Sequence, residues 1–170
     1  DAIYPGIIIQ KMVNSSRAGV VYLNEDKIVI KAHWGLYGLM DLEKVKPDVY
    51  IVEDSELAIK DIEINNQAYA FVRDDNLGQT VKREIPLSRR SVQILSEAEV
   101  KRLAKVAVEI SSIIGENKML EWGVDEGRLF ITAVKPLTRS ETYQDEVYDE
   151  SNLTERLDTI TEVSLNITEI

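Results

Sequence analysis

An α+β fold follows from three features of this 170-residue chain. Many short β-branched segments fill its first half, one capped amphipathic helix spans about residues 97–114, and strands and helices do not alternate. That pattern calls for an antiparallel β-sheet with a helix laid on one face. It argues against a doubly wound parallel sheet, which needs repeated strand–helix–strand units. The length suits one domain, or one domain plus an extension, and 44% apolar residues are enough for a core.

The β-branched run Ile7-Ile8-Ile9-Gln10-Lys11-Met12-Val13 predicts a first strand, and Asn14-Ser15-Ser16-Arg17 a polar loop after it. Ala18 to Leu23 predicts a second strand. The turn Asn24-Glu25-Asp26 leads into Lys27 to Ala32, whose charged and apolar residues alternate as a half-buried strand requires. Trp34 to Gly38 is a glycine-punctuated loop, and Asp48 to Val52 is strand again. Shorter strands are expected at Leu57 to Ile64, Ala68 to Arg73 and Thr80 to Ile85. Asp74-Asp75-Asn76-Leu77-Gly78 turns between the last two. Ser96-Glu97-Ala98-Glu99 has the spacing of a capping box. Val100, Leu103, Ala104, Ala107, Ile110 and Ile114 then recur at helical spacing, and Gly115 ends the helix. A hairpin closes the series: Leu120 to Val124, a turn at Asp125-Glu126-Gly127, and Arg128 to Pro136.

Charge is unevenly placed. The chain carries −10 overall, and residues 139–170 hold nine acids against two arginines. We therefore divide it into residues 1–138, a folded domain, and residues 139–170, an acidic linker or extension that solvates itself or docks on a basic partner. Phosphate backbones demand a basic surface, so nucleic acid is not an expected partner. No apolar run is long enough for a membrane helix and no signal-peptide pattern opens the chain. The absence of cysteine removes disulfides, thiolate metal sites and cysteine nucleophiles, and fits a reducing, cytoplasmic setting. The chain begins Asp1-Ala2-Ile3-Tyr4 without an initiator methionine, and reads as a cut or processed piece of something longer.

Three ordered segments resemble the ATP-binding domain of the phosphoenolpyruvate synthase and pyruvate phosphate dikinase family. Ile8-Ile9-Gln10-Lys11-Met12-Val13 with Gly19-Val20 is similar to that family's Val-Gln-Lys/Arg-Met-Val strand and its Ser-Gly-Val partner. Lys31-Ala32-His33-Trp34-Gly35-Leu36, continuing to Val45-Lys46-Pro47-Asp48-Val49-Tyr50, resembles Glu-Ala-Ser-Trp-Gly-Leu followed by Val-x-Pro-Asp-x-Tyr. The Ser96 helix leading to Glu121-Trp122-Gly123-Val124 and Lys135-Pro136-Leu137-Thr138 resembles Asp-Ile-Glu-Trp-Ala followed by Gln-Ala-Arg-Pro-x-Thr. The match covers roughly residues 5–138. It implies the second half of an ATP-grasp domain, with ATP and Mg²⁺ as cofactors. The partners it implies are the missing N-terminal ATP-grasp half and a separate phosphohistidine domain. Strand edges left by a missing half also make self-association plausible.

The resemblance places Gln10 and Met12 at the adenine end of the nucleotide, although the same residues read equally as an ordinary core strand. It places Glu121 on the metal. Lys31 and Lys135 would contact phosphate, and Lys135 could instead pair with Glu121. With a three-residue turn at Asp125-Glu126-Gly127, residue 121 faces 131 and 119 faces 133. Positions 119, 121, 131, 133 and 135 then share one face. The family has Asp, Glu, Gln and Arg at 119, 121, 133 and 135, where this chain has Met119, Glu121, Ala133 and Lys135. One carboxylate in place of three oxygen ligands is a poor Mg²⁺ site. Lys31 stands for a Glu, Tyr37-Gly38 for Gly-Glu, and Glu43 for a glycine.

His33, the only histidine, lies outside any phosphohistidine context and reads as a loop or strand-end residue. The triplets at 14–16, 152–154 and 166–168 are formal glycosylation sequons that carry no weight without a secretion signal. Two functions are therefore expected. One is the ATP-binding portion of a phosphoenolpyruvate-synthase-like phosphotransferase, in which ATP phosphorylates pyruvate through a histidine elsewhere. The other is a degenerate, non-catalytic ATP-grasp module with a binding, regulatory or scaffold role. The departures cluster at the phosphate end and spare Trp34, Gly35, Pro47 and Trp122, which read as residues that keep the fold. In either case this chain alone is expected to be inactive.

Overall fold

The structure, a computed structural model, describes residues 9–24, 27–40, 45–115 and 118–137. The chain divides into two units, Asp1–Leu137 and Thr138–Ile170, and all described residues belong to the first. The acidic segment 139–170 with its two sequons, the turn residues Glu25 and Asp26, and Glu43 lie outside them.

An α+β architecture is what the residues build. Six antiparallel strands form one sheet: β1 (Arg17–Asn24), β2 (Lys27–Trp34), β3 (Asp48–Glu53), β4 (Ala58–Glu63), β7 (Lys118–Asp125) and β8 (Arg128–Pro136), ordered β4-β3-β2-β1-β7-β8. A two-stranded ribbon, β5 (Tyr69–Asp74) and β6 (Gln79–Glu84), stands apart from it. One α-helix, α1 (Glu97–Ile114), and a short 3-10 turn at Leu87–Arg89 complete the described elements. The sequence did not mark that turn.

Strand alternation sorts the sheet into two faces. Val21 on β1, Ile28, Ile30 and Ala32 on β2, Tyr50 and Val52 on β3, and Leu120, Trp122 and Val124 on β7 pack with Val100, Leu103, Ala104 and Ala107 of α1 into the main core. The opposite face carries a smaller apolar cluster of Val20, Tyr22, Val29, Val49 and Met119. The capping box forms as the spacing demands: the Ser96 hydroxyl accepts from the Glu99 N–H, and the Glu99 carboxylate accepts from the Ser96 N–H. Gly115 closes the helix at φ 85°.

Two expectations are corrected. The run 7–13 is not a strand over its described residues: Ile9 to Val13 lack strand pairing, and Ile9 and Met12 are exposed. The sheet leaves no place for it beside β1, whose edges are taken by β2 and β7. The segment instead crosses the sheet, with Ser15 and Val13 over Gly123 and the Gln10 amide donating to the Thr132 carbonyl at 3.2 Å.

The second correction concerns the hairpin. Asp125 pairs with Arg128, so the turn is the two residues Glu126-Gly127, at φ 48° and 76°. Both in the left-handed region is the type I′ geometry whose twist suits a hairpin. A bulge at Glu121/Trp122 then moves the register, so Glu121 faces Ala133, Met119 faces Lys135 and Trp122 faces Ile131. Positions 119, 121, 133 and 135 do share a face. Ile131 leaves it and packs on the helix side, because the extra residue of a bulge reverses alternation.

Candidate functional site

Cross-strand register gathers the candidate residues on the face opposite α1. One row runs Lys31, Val20, Glu121, Ala133 across β2, β1, β7 and β8. The next runs Val29, Tyr22, Met119, Lys135, and the row on the other side runs His33, Ala18, Gly123, Phe130. Lys31 and Glu121 stand two strands apart, about 10 Å between backbones at normal strand spacing. Lys135 reaches diagonally across the hairpin, and its Nζ lies 2.5 Å from Glu121 Oε1. The Lys31 ammonium sits 6.0 Å from the centre of the Tyr22 ring. Among the described residues it has no ion-pair partner. Gln10 belongs to the same region through its bond to Thr132, and Met12 lies two residues along, half exposed.

His33 is fully buried on this face, with its ring 6.1 Å from that of Tyr37 and no partner for Nδ1. Burial pushes its pKa down to about 4, and the neighbouring Lys31 charge pushes the same way. It is therefore a neutral imidazole at pH 7 and adds no charge to the site.

Mg²⁺ is the metal the family implies, and these residues do not fit it. A hard dication takes several oxygen ligands. Glu121 is the sole carboxylate in the middle of the face, and Lys135 already occupies it. Among the described residues no three His, Cys, Asp or Glu come together as a metal cluster. Toward the ends of the face, Glu53 pairs with Lys60, Glu63 and Asp61 stand on β4 opposite Val49 and Ile51, and Asp125 lies opposite Arg128 at the hairpin tip.

Several residues that hold the site had no assigned role in the sequence. Asp48, wholly buried, accepts from the Asn65 N–H at 3.0 Å, the Ile94 N–H at 3.0 Å and the Tyr50 hydroxyl at 3.3 Å. The Tyr50 oxygen in turn accepts from the Leu95 N–H at 3.0 Å. Burial raises the Asp48 pKa even against those three bonds. Arg17 adds a fork to Glu99 and a 2.8 Å bond to the Ile94 carbonyl. Burial of Glu99 opposes its ionisation, but the Ser96 and Arg17 bonds outweigh it and leave the pKa lowered. Together these groups fasten residues 94–99, and so the start of α1, to β1 and β3. The available signal was a charged residue opening each of two apolar strands, Arg17 and Asp48.

The loop after β2 is held as tightly. Gln67, wholly buried, donates to the Ala32 carbonyl and accepts from the Trp34 N–H, continuing the ladder where β3 stops. Gly35 sits at φ 80°, and a Cβ there would fall 2.2 Å from the Phe71 carbonyl oxygen, so only glycine permits the β5 contact.

Comparison with known proteins agrees with this arrangement. Residues 3–155 match the family model of the pyruvate phosphate dikinase AMP/ATP-binding domain. A probable phosphoenolpyruvate synthase of Methanocaldococcus jannaschii is 34% identical over 137 residues, 77% of this chain and 11% of that protein. Probable phosphoenolpyruvate synthases of Methanothermobacter thermautotrophicus (29% over 141 residues; 80% of this chain and 20% of that protein) and Pyrococcus abyssi (32% over 159 residues; 85% and 19%) are similar. The chain thus spans between a tenth and a fifth of the length of these relatives. A match over most of the chain, on a sheet and helix that agree with one half of an ATP-grasp domain, places this protein in the pyruvate phosphate dikinase AMP/ATP-binding domain family.

Proposed function

We propose that this chain is the nucleotide-binding portion of a phosphoenolpyruvate-synthase-like phosphotransferase, working in the cytoplasm. Residues 1–138 form the nucleotide-binding subdomain and 139–170 an acidic extension. Adenosine phosphate lies on the face opposite α1, with Lys31 and Lys135 toward the phosphates and Gln10 and Met12 toward the base. The single observation that carries this reading is the register that aligns Lys31, Glu121 and Lys135 on one face of a sheet whose family binds AMP or ATP. The residues on this face bind and orient a polyanion. A phosphoryl group would go to a histidine outside this chain, since His33 is buried beneath its neighbours and reaches no solvent.

One observation favours the second function, a non-catalytic binding or scaffold module. Lys135 closes on Glu121, which leaves no acid free in the middle of the face. Thermal unfolding with and without ATP tests nucleotide binding directly. A ligand at a hundredfold excess over its Kd stabilises the fold by about 2.7 kcal/mol. The reading requires a clear rise in Tm with millimolar ATP and a smaller one with adenosine. No rise with either would leave only the scaffold function.

A further inference from the structure

We infer that Tyr37 is a plug over the nucleotide face, and that adenosine phosphates bind when its ring swings away. The inference rests on the nucleotide-binding reading above and concerns access to that same face. A ligand that reaches from Lys31 to Lys135 has to cross β1 and β7, where the side chains on this face are Val20 and Tyr22, then Glu121 and Met119. Val20 and Tyr22 are each 2% exposed and Met119 is 8% exposed, although α1 packs on the other side of the sheet. A floor so dry is already covered by the chain itself. Tyr37, from the loop after β2, and Leu137, just past the end of β8, pack on this cluster. Of the two, Tyr37 brings the larger side chain and sits between fixed points.

The backbone on both sides of Tyr37 is pinned. The Gly35 N–H donates to the Ser16 carbonyl and the Leu36 N–H to the Phe71 carbonyl, both at 2.8 Å. Met40 is wholly buried, and its N–H donates to the Tyr37 carbonyl at 2.9 Å. The backbone therefore holds the ring over the face, beside His33 at 6.1 Å between ring centres. Tyr37 is itself only half-buried, so its ring can leave by turning about its side-chain bonds while the loop stays in place. A site that is open in a fraction of the molecules binds with its intrinsic Kd divided by that fraction. Removing a plug raises the open fraction and tightens binding. Removing an aromatic that stacks on the ligand weakens it, so the sign of the effect separates the two roles.

The experiment is calorimetric titration with ATP of the full 170-residue chain, as wild type, Tyr37→Ala and Tyr37→Trp. Tyr37→Ala should bind about tenfold tighter than wild type, a difference of about 1.4 kcal/mol. A gain under threefold, or a loss, overturns the plug and leaves nucleotide binding intact. Heat from Tyr37→Ala alone, with none from wild type, supports the plug. Tyr37→Trp, a larger cover, should bind at least threefold more weakly than wild type. Binding as tight as wild type, or tighter, would make the ring a stacking platform and overturns the inference. If Tyr37→Ala does not fold, wild type and Tyr37→Trp decide alone. No heat with any of the three proteins sinks the nucleotide-binding reading and the plug together.

Discussion

The two faces of the six-stranded sheet share the same strands and differ in everything else. Toward α1, alternate residues are apolar and nearly waterless, from Ile28 and Ile30 through Val21 to Leu120 and Trp122. Away from α1, the alternate residues are Lys31, Glu121, Ala133 and Lys135 around a small patch centred on Tyr22. Period-two alternation makes the two sets physically independent: a side chain can change on one face without entering the other. The helix-facing set answers to volume and the other set answers to charge. That division lets residues change at 31, 119 and 133 while the helix-facing core stays intact.

The strongest way to break this comparison is to remove volume from the helix face. Trp122 is 1% exposed and packs on the main core. Trp122→Ala should cost about 3–5 kcal/mol, read as a fall in the urea midpoint at unchanged slope. Its indole N–H is buried without an acceptor, so Trp122→Phe loses no hydrogen bond and should retain much of the stability. If Trp122→Ala cost less than about 1 kcal/mol, the helix face would not be the stability face.

Next in size is a pH effect centred on the other face. Folded His33 titrates at about 4 because burial, then the Lys31 charge, disfavours the imidazolium, whereas the unfolded chain takes up the proton near the ordinary 6.5. Between these values the unfolded state holds more protons, so stability rises with pH. About 3 kcal/mol is fully present above pH 6.5 and is lost as pH falls toward 4. Comparing wild type with His33→Ser by urea unfolding at pH 7.5 and 4.5 isolates this term, because the chain has no other histidine. The variant should lose about 3 kcal/mol less than wild type on acidification. Equal losses would mean that the buried imidazole accepts its proton in the folded state.

How far the sequence could be read follows from the range of the forces involved. The helix was legible because its cap is local: Ser96 and Glu99 bond each other three residues apart. The strands were legible at 27–32 and 48–52, inside the observed Lys27–Trp34 and Asp48–Glu53, because strand composition and, in the first, alternation are local. The first run, 7–13, misled for the same reason. Ile7-Ile8-Ile9 has strand composition, but strand pairing needs a free edge, and β2 and β7 had already taken those of β1. The bulge at Glu121/Trp122 was likewise invisible, being a property of two strands together. Its consequence at the site was one residue: Ile131 belongs to the helix face, while 119, 121, 133 and 135 keep their shared side. The Asp48 network was beyond reach because its donors, Asn65 and Ile94, lie 17 and 46 residues away.

The smallest expected effect is the one that most sharply separates the two faces. Glu121 and Lys135 make a close ion pair, yet the lysine side chain is 55% exposed and the glutamate 20%. Water screens such a pair, and holding two long side chains in one geometry costs entropy, so its net worth is about 0–1 kcal/mol. Glu121→Gln and Lys135→Met should each shift the urea midpoint by an amount in that range, and the double variant should show little coupling. A loss above about 2 kcal/mol for either would place the pair among the groups that hold the sheet together. A loss near zero leaves the pair with no structural reason to be there, and the charge it sets on the face becomes its only consequence.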